Sequence, residues 1–186
     1  MSSNKKTNND IHMLEAKVQL RIDSLPDKKE ILVLEAFGGE GVIWKKVRLR
    51  CPDKDIKVLS IDKNKYKRVQ LQGDNLKYLP SLNLQEFDII DLDAWGSPIK
   101  QLDVIFRRHY TGIVHCTFIQ SSMGNLPTEL LLANGYTPAM LAKIRSIFLV
   151  NGLQKFLNYL QKMGKVRKVH TICRNRKNYL WFSLDK

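Results

Sequence analysis

The sequence predicts an α/β fold: a mainly parallel sheet with helices on both faces and an antiparallel hairpin at its C-terminal edge. Two observations carry this. Apolar runs of strand length alternate with segments of helical periodicity along most of the chain, the pattern that builds a parallel sheet. The last two runs, Val166 to Cys173 and Asn178 to Leu184, are separated by Arg-Asn-Arg-Lys, which reads as a hairpin. At 186 residues with 44% hydrophobic side chains, the chain suits one domain with a sizeable core. Neither an internal repeat nor a second domain is visible.

Residues 1–10 are polar and read as a disordered tail, leaving 11–186 as the single domain. From Ile11 to Ser24, Ile11, Leu14, Val18 and Ile22 recur at helical spacing, and Pro26 stops the helix. Ile31 to Glu35 is a buried-strand run. Gly38, Gly39 and Gly41 then form a turn, and Val42 to Leu49 suits a helix. Lys57 to Ile61 is the second strand, ending at Asp62. Val69 to Leu71 is a short third strand, reached by a link too short for an ordinary crossover helix. Phe87 to Ile90 is the fourth strand, followed by a helix over Pro98 to Arg107, and Gly112 to Ile119 is the fifth. Pro138 to Met163 reads as one long helix, broken or bent near Asn151-Gly152.

Composition narrows the function classes. No apolar run reaches the roughly 20 residues of a membrane span, and the N-terminus lacks the apolar segment of a secretory signal. Cys51, Cys116 and Cys173 are far apart, and the histidines are scattered, with no zinc-ligand spacing. Neither a metal site nor a disulfide framework is expected, and a cytoplasmic location is. Lysine and arginine number 31 against 18 acidic residues, a net charge of +13. Such an excess suits a polyanion, because basic side chains on phosphates release condensed counterions. A solubility surface is the alternative.

Ligands of open α/β sheets bind beyond the carboxyl ends of the strands, where the chemistry-bearing residues of this chain fall. The first strand ends in Glu35-Ala36-Phe37-Gly38-Gly39-Glu40-Gly41. Its glycines allow a tight turn and close backbone approach before a helix N-terminus. A carboxylate at Glu35 would repel a pyrophosphate but suits a positively charged group. Asp62 is placed to accept from ribose hydroxyls, and Asp74, in Gly73-Asp74-Asn75, from an adenine amine. Together they suit an adenosine with a cationic, phosphate-free tail. On these segments and the strand order, the chain from Ile31 onward resembles the class I, Rossmann-like S-adenosylmethionine-dependent methyltransferases. The resemblance implies that fold and S-adenosylmethionine as cofactor. It assigns the methionine part to Glu35, Phe37, Gly38, Gly39 and Gly41, the ribose to Asp62, and the adenine side to Asp74 and Asn75. The shortened link after Asp62 departs from the family pattern. A dehydrogenase-like or non-catalytic Rossmann domain is the alternative.

The fourth strand runs into Asp91-Leu92-Asp93-Ala94-Trp95-Gly96-Ser97-Pro98. An exocyclic amine on a base is a poor nucleophile, because its lone pair is delocalised into the ring. An acceptor held against its N–H localises that pair, and an aromatic face stacks the base. The segment resembles the Asp-Leu-Asp-Pro-aromatic-Gly-Ser-Pro motif of the tRNA guanine dimethyltransferases, with Ala94 replacing the proline. The resemblance implies Asp93 as the acceptor, Trp95 as the stacking aromatic and Gly96 as the turn. Asp91 either orients Asp93 or receives the backbone of the neighbouring turn. The competing reading makes Asp93 a helix N-cap and Trp95 a packing residue.

Basic clusters at Lys45 to Arg50, Lys63 to Arg68, Arg107-Arg108 and near the C-terminus are interleaved or followed by Tyr66, Tyr179 and Trp181. This pattern suits phosphate contacts with base stacking. Ser121 to Arg145 is the expected target-binding lid. The sequence thus predicts methyl transfer to an exocyclic amine of a nucleic-acid base, RNA favoured over DNA, with no membrane partner. The alternatives are a small-molecule or protein methyltransferase, and a non-catalytic cofactor-binding accessory subunit.

Overall fold

The computed structural model describes residues 11–120, 126–143, 150–164, 166–174 and 177–185. The expected disordered tail lies outside them, as do part of the expected lid and the centre of the hairpin turn. Helix α1 (Ile11–Asp23) leads into β1 (Glu30–Glu35), α2 (Val42–Arg50), β2 (Asp55–Asp62), the short β3 (Leu71–Gln72) and α3 (Asn75–Tyr78). Then come β4 (Ile89–Leu92), α4 (Ile99–Arg107), β5 (Gly112–Ile119), α5 (Thr128–Ala133) and α6 (Pro138–Lys143). Helix α7 (Gly152–Met163) and strands β6 (Val166–Arg174) and β7 (Lys177–Leu184) complete the chain.

The strands form one seven-stranded sheet in the order β3-β2-β1-β4-β5-β7-β6. Strands β3, β2, β1, β4 and β5 run parallel, and β7 lies antiparallel between β5 and β6. This is the expected fold class. The order reverses between β1 and β4, the point at which such sheets open a crevice at their carboxyl ends.

Both faces of the central strands are covered, which is why they read as continuous apolar runs. Ile31, Val33 and Ile89 pack with Val18 of α1 and with Trp44 and Val47 of α2. Leu34, Ile90 and Leu92 point the other way, into a core shared with α4, α5 and α7. There the rings of Phe118 and Phe156 stack at 4.4 Å. Among the described residues no helix is long and apolar enough to cross a membrane.

Several elements differ from expectation, among them α3, which the sequence did not lead us to expect, and β2, which begins at Asp55. The third strand is Leu71–Gln72, where β2 offers register partners at Ile61 and Asp62. The fourth begins at Ile89, because the Asp88 carboxylate turns back to accept from the Leu32 N–H at 2.8 Å. The break expected near Asn151-Gly152 in the helical stretch from Pro138 to Met163 is present. Asn151 is left-handed, with φ 57°, and begins α7 as a separate helix, a conformation no residue inside a right-handed helix can hold. Residues 144–149 lie outside the described set.

Candidate active site

A cavity of about 540 Å³ opens at the carboxyl ends of the strands, and Glu35, Asp62, Asp74 and Asp93 all line it. Four carboxylates predicted from separate stretches therefore face one space. Phe37, Gly38, Gly39, Gly41, Asn75 and Trp95 line it as well.

The cofactor side is built by the turn after β1. Gly38 N–H donates to the Ile61 carbonyl at 2.9 Å, laying the turn against β2. A Cβ at position 38 would sit 2.8 Å from that of Ser60, so only glycine allows this approach. Gly39 and Gly41 both have left-handed φ, 48° and 65°. Asp62 accepts from the N–H of Gly39 at 2.9 Å and of Asn64 at 2.8 Å, one on each oxygen. Each oxygen keeps a second lone pair toward the cavity. Asp74 caps α3 through the Leu76 N–H at 3.0 Å and pairs with Lys63 at 3.3 Å. The cap first, and then Lys63, hold its carboxyl below the ordinary value.

Asn75 is buried and acts as a brace. Its amide donates to the Ala36 carbonyl at 2.7 Å and accepts from Gln101 at 2.9 Å, tying α4 to the turn after β1. Glu35 is buried too. Ser60 donates to it at 2.8 Å, and the Arg68 guanidinium pairs with the same oxygen. Burial pushes the Glu35 carboxyl up to about 7, against the opposing pull of Arg68.

On the opposite side stands Asp93. Lys17 of α1 donates to both carboxylate oxygens, at 2.9 and 2.7 Å, and Thr117 of β5 donates its hydroxyl to one of them. Burial raises the Asp93 carboxyl, but Lys17, Arg21 and the hydrogen bonds outweigh it and hold the group below its ordinary value. The Lys17 ammonium also lies 4.7 Å from the centre of the Tyr179 ring. Trp95 is 71% exposed on the rim, with Lys177 5.7 Å from its ring centre. Asp93 caps no helix: the N-cap of α4 is Pro98, without a side-chain bond. In place of the motif's proline, Ala94 donates its N–H to the Leu92 carbonyl at 2.7 Å, and Ile119 donates to Gly96 at 2.8 Å. The loop is thus fixed at two points, the first by a bond proline could not make.

Asp91, expected beside the reacting groups, lies beneath them, outside the cavity lining. Arg21 grips it through Nε at 3.0 Å and Nη2 at 2.8 Å, and Trp44 donates to it at 2.8 Å. Its backbone carbonyl accepts from Ala36 N–H at 2.9 Å, continuing the β1–β4 ladder independently of the side chain, while the carboxylate takes side-chain donors in place of the backbone expected for it. It does not touch Asp93 through any hydrogen bond of this network.

Sequence reasoning missed Lys17 and Thr117, which line the cavity, and Arg21 and Arg68, which hold Asp91 and Glu35 from outside its lining. Lys17 and Arg21 stand four residues apart, on one face of α1. Two cations on the face that also buries Val18 were the available signal. Among the described residues, no cluster of histidine, cysteine or acidic side chains is suited to a metal ion.

No family model and no curated protein matches the sequence. Solved structures do match in shape. The CurJ carbon methyltransferase aligns over 89% of this chain and 51% of its own, with a TM-score of 0.54 at 13% identity. The precorrin-6y C5,15-methyltransferase from Geobacter metallireducens aligns over 100% of this chain and 94% of its own, with a TM-score of 0.52 at 10% identity. PigF, solved with SAH, aligns over 94% of this chain and 59% of its own, with a TM-score of 0.50 at 13% identity. The fold is the Rossmann-like methyltransferase fold. At such identities the likeness is one of fold, and the chain spans about half the length of the CurJ enzyme.

Proposed function

We propose that the protein is an S-adenosylmethionine-dependent methyltransferase acting on an exocyclic amine of a nucleic-acid base, RNA in preference to DNA. The observation that carries this reading is the convergence of Glu35, Asp62 and Asp74 with Asp93 and Trp95 on one cavity. Its volume lies in the usual range of small-molecule sites, roughly 300–1,000 Å³.

The donor set fits the cofactor. Glu35 suits its cationic amino-acid end, Asp62 its ribose hydroxyls and Asp74 the adenine side. The turn at Gly38 lets the backbone come close, as a Cβ there would collide with Ser60. When bound, S-adenosylmethionine supplies an activated methyl group on a sulfonium.

The remaining chemistry belongs to the chain. A carboxylate offers about four acceptor positions. Lys17 takes one on each oxygen of Asp93, and Thr117 takes a second on Oδ1. One position on Oδ2 is left for an N–H of the incoming amine. Because Asp93 is held ionised, it draws electron density back onto that nitrogen and balances the positive charge that develops there. Trp95 offers an exposed ring for an unpaired or flipped base, and Lys177 adds positive charge beside it for a phosphate. The net charge of +13 supports a polyanionic substrate.

The test is transfer of a labelled methyl group to separate tRNA, rRNA and DNA pools, followed by nucleoside analysis. Label is expected in RNA as an N-methylated base. Asp93→Ala should abolish transfer while cofactor affinity, measured by calorimetry, changes little. Transfer to none of the pools, or full activity in the variant, would refute the reading.

A further inference from the structure

We propose that Arg68 receives the carboxylate of the cofactor's amino-acid group, facing Glu35, which takes the ammonium; the inference rests on the cofactor reading above. Arg68 lies in the link between β2 and β3, at the end of the basic run Lys63 to Arg68 that the sequence suits to phosphate contacts. Its side chain does not extend into solvent. The guanidinium folds onto the glycine turn, where Nη2 donates to the Glu35 carboxylate and, at 2.7 Å, to the Ser60 hydroxyl. The same nitrogen lies 3.4 Å from the Gly38 carbonyl. Nη1 occupies the volume that a Cβ on Gly41 would fill, 1.5 Å from the position of such an atom.

Two further observations point to a ligand. Arg68 Nε is buried and has no hydrogen-bond partner among the described residues. A guanidinium carries five donors in a planar fork, and buried donors are rarely left unmatched. The hydrogen bonds fall on Nη2, so the Nε edge is the part still seeking an acceptor. Arg68 also stands at a boundary. It lines a second depression with Glu40 and Tyr66, both of which line the main cavity too.

Charge complementarity then selects the ligand group. Glu35, Glu40 and Asp62 stand around the turn, and Lys63 and Lys65 line the same cavity, so a carboxylate entering beside Glu35 needs a cation held at that point. The cofactor's amino-acid end is a zwitterion, so it needs one anion and one cation at close range. Glu35 and Arg68 are already paired with each other. Inserting the zwitterion exchanges that ion pair for two, with no change in net buried charge. The planar fork of arginine also matches a carboxylate in two places, which a lysine cannot do.

The test is calorimetric and needs no acceptor substrate. The probes are S-adenosylhomocysteine, which carries the zwitterion, and methylthioadenosine, which has the same nucleoside without it. The unaltered protein should bind the first much more tightly. Arg68→Met should lower affinity for S-adenosylhomocysteine about 10- to 100-fold, the usual loss of a charged hydrogen bond, and leave methylthioadenosine unchanged. Arg68→Lys should fall between. Decarboxylated S-adenosylmethionine, tested on the unaltered protein, should show a loss of the same size whether or not the variants fold. Equal binding of S-adenosylhomocysteine by Arg68→Met, or no penalty for decarboxylation, would overturn the proposal while leaving the cofactor reading intact. Binding of neither nucleoside by the unaltered protein would overturn both.

Discussion

Replacing Asp91 with alanine removes one half of a buried ion pair and leaves the other half stranded. Arg21 and Asp91 are each only 1% exposed, and the pair is held by two charged hydrogen bonds with a third from Trp44. The pair itself adds little net stability, because desolvating both groups offsets most of their attraction. Removing one partner is different. The guanidinium then sits in the core between α1 and β4 without its hydrogen-bonded partner, facing only the more distant charges of Asp93 and Glu35, which costs about 3–5 kcal/mol. For a chain of this size that is a drop in Tm of about 6–20 °C, or a shift of about 2 M in the urea midpoint. The control is the double variant Arg21→Met/Asp91→Leu, which removes both charges and should recover most of the loss. Urea unfolding followed by circular dichroism reads both proteins. An Asp91→Ala protein as stable as the parent, or a double variant less stable than the single one, would refute the buried-pair account. It would also reopen a direct catalytic role for Asp91.

Three other outcomes follow from the same site. The Glu35 carboxyl sits at about 7 in the folded chain against an ordinary 4.5, so the folded state holds a proton that the unfolded chain releases. Its stabilising contribution is complete below pH 4.5 and is lost as pH rises toward 7, by about 3 kcal/mol; urea midpoints across this window should fall for the parent and stay flatter for Glu35→Gln. Lys17→Met takes away the main counter-charge of Asp93, so the acidic limb of the pH–rate profile should move to higher pH, with Lys17→Arg close to the parent; an unmoved limb would dismiss Lys17 as a positioning residue. Trp95→Ala changes an exposed side chain, so stability should stay within about 0.5 kcal/mol, while RNA affinity falls by about 1–3 kcal/mol if the ring stacks a base. Fluorescence titration with RNA measures that loss.

What could be read from the sequence was local. Strand β5 runs over Gly112–Ile119 as expected, because both faces of its centre are buried and the run, His115 apart, is apolar or small. The glycine turn was legible because left-handed φ and close approach are demands on single positions. The acids at the strand ends followed from chain order alone. Partnerships across the chain left no comparable trace. Lys17 meets Asp93 across 76 residues and Arg21 meets Asp91 across 70, and nothing near either acid indicates which cation it will find. The break before α7 was legible, because Asn151-Gly152 marked it.

The pairing of these acids explains how a strongly basic chain can present so acidic a site. Glu35 is matched by Arg68, Asp74 by Lys63, Asp91 by Arg21 and Asp93 by Lys17. Asp62 is held differently, by the backbone N–H groups of Gly39 and Asn64. That difference sorts the carboxylates by the ligand each can take. A carboxylate paired to a cation can exchange or share that cation when a charged group arrives, as Glu35 would with an ammonium. One held by neutral N–H donors has no cation to exchange and keeps free lone pairs, which suits hydroxyl donors such as those of a ribose. Asp93 combines the two arrangements: a cation fixes its charge, a neutral hydroxyl fixes its orientation, and one acceptor position stays open. A group that must accept from a neutral amine and then face a positive charge on the same nitrogen needs all three.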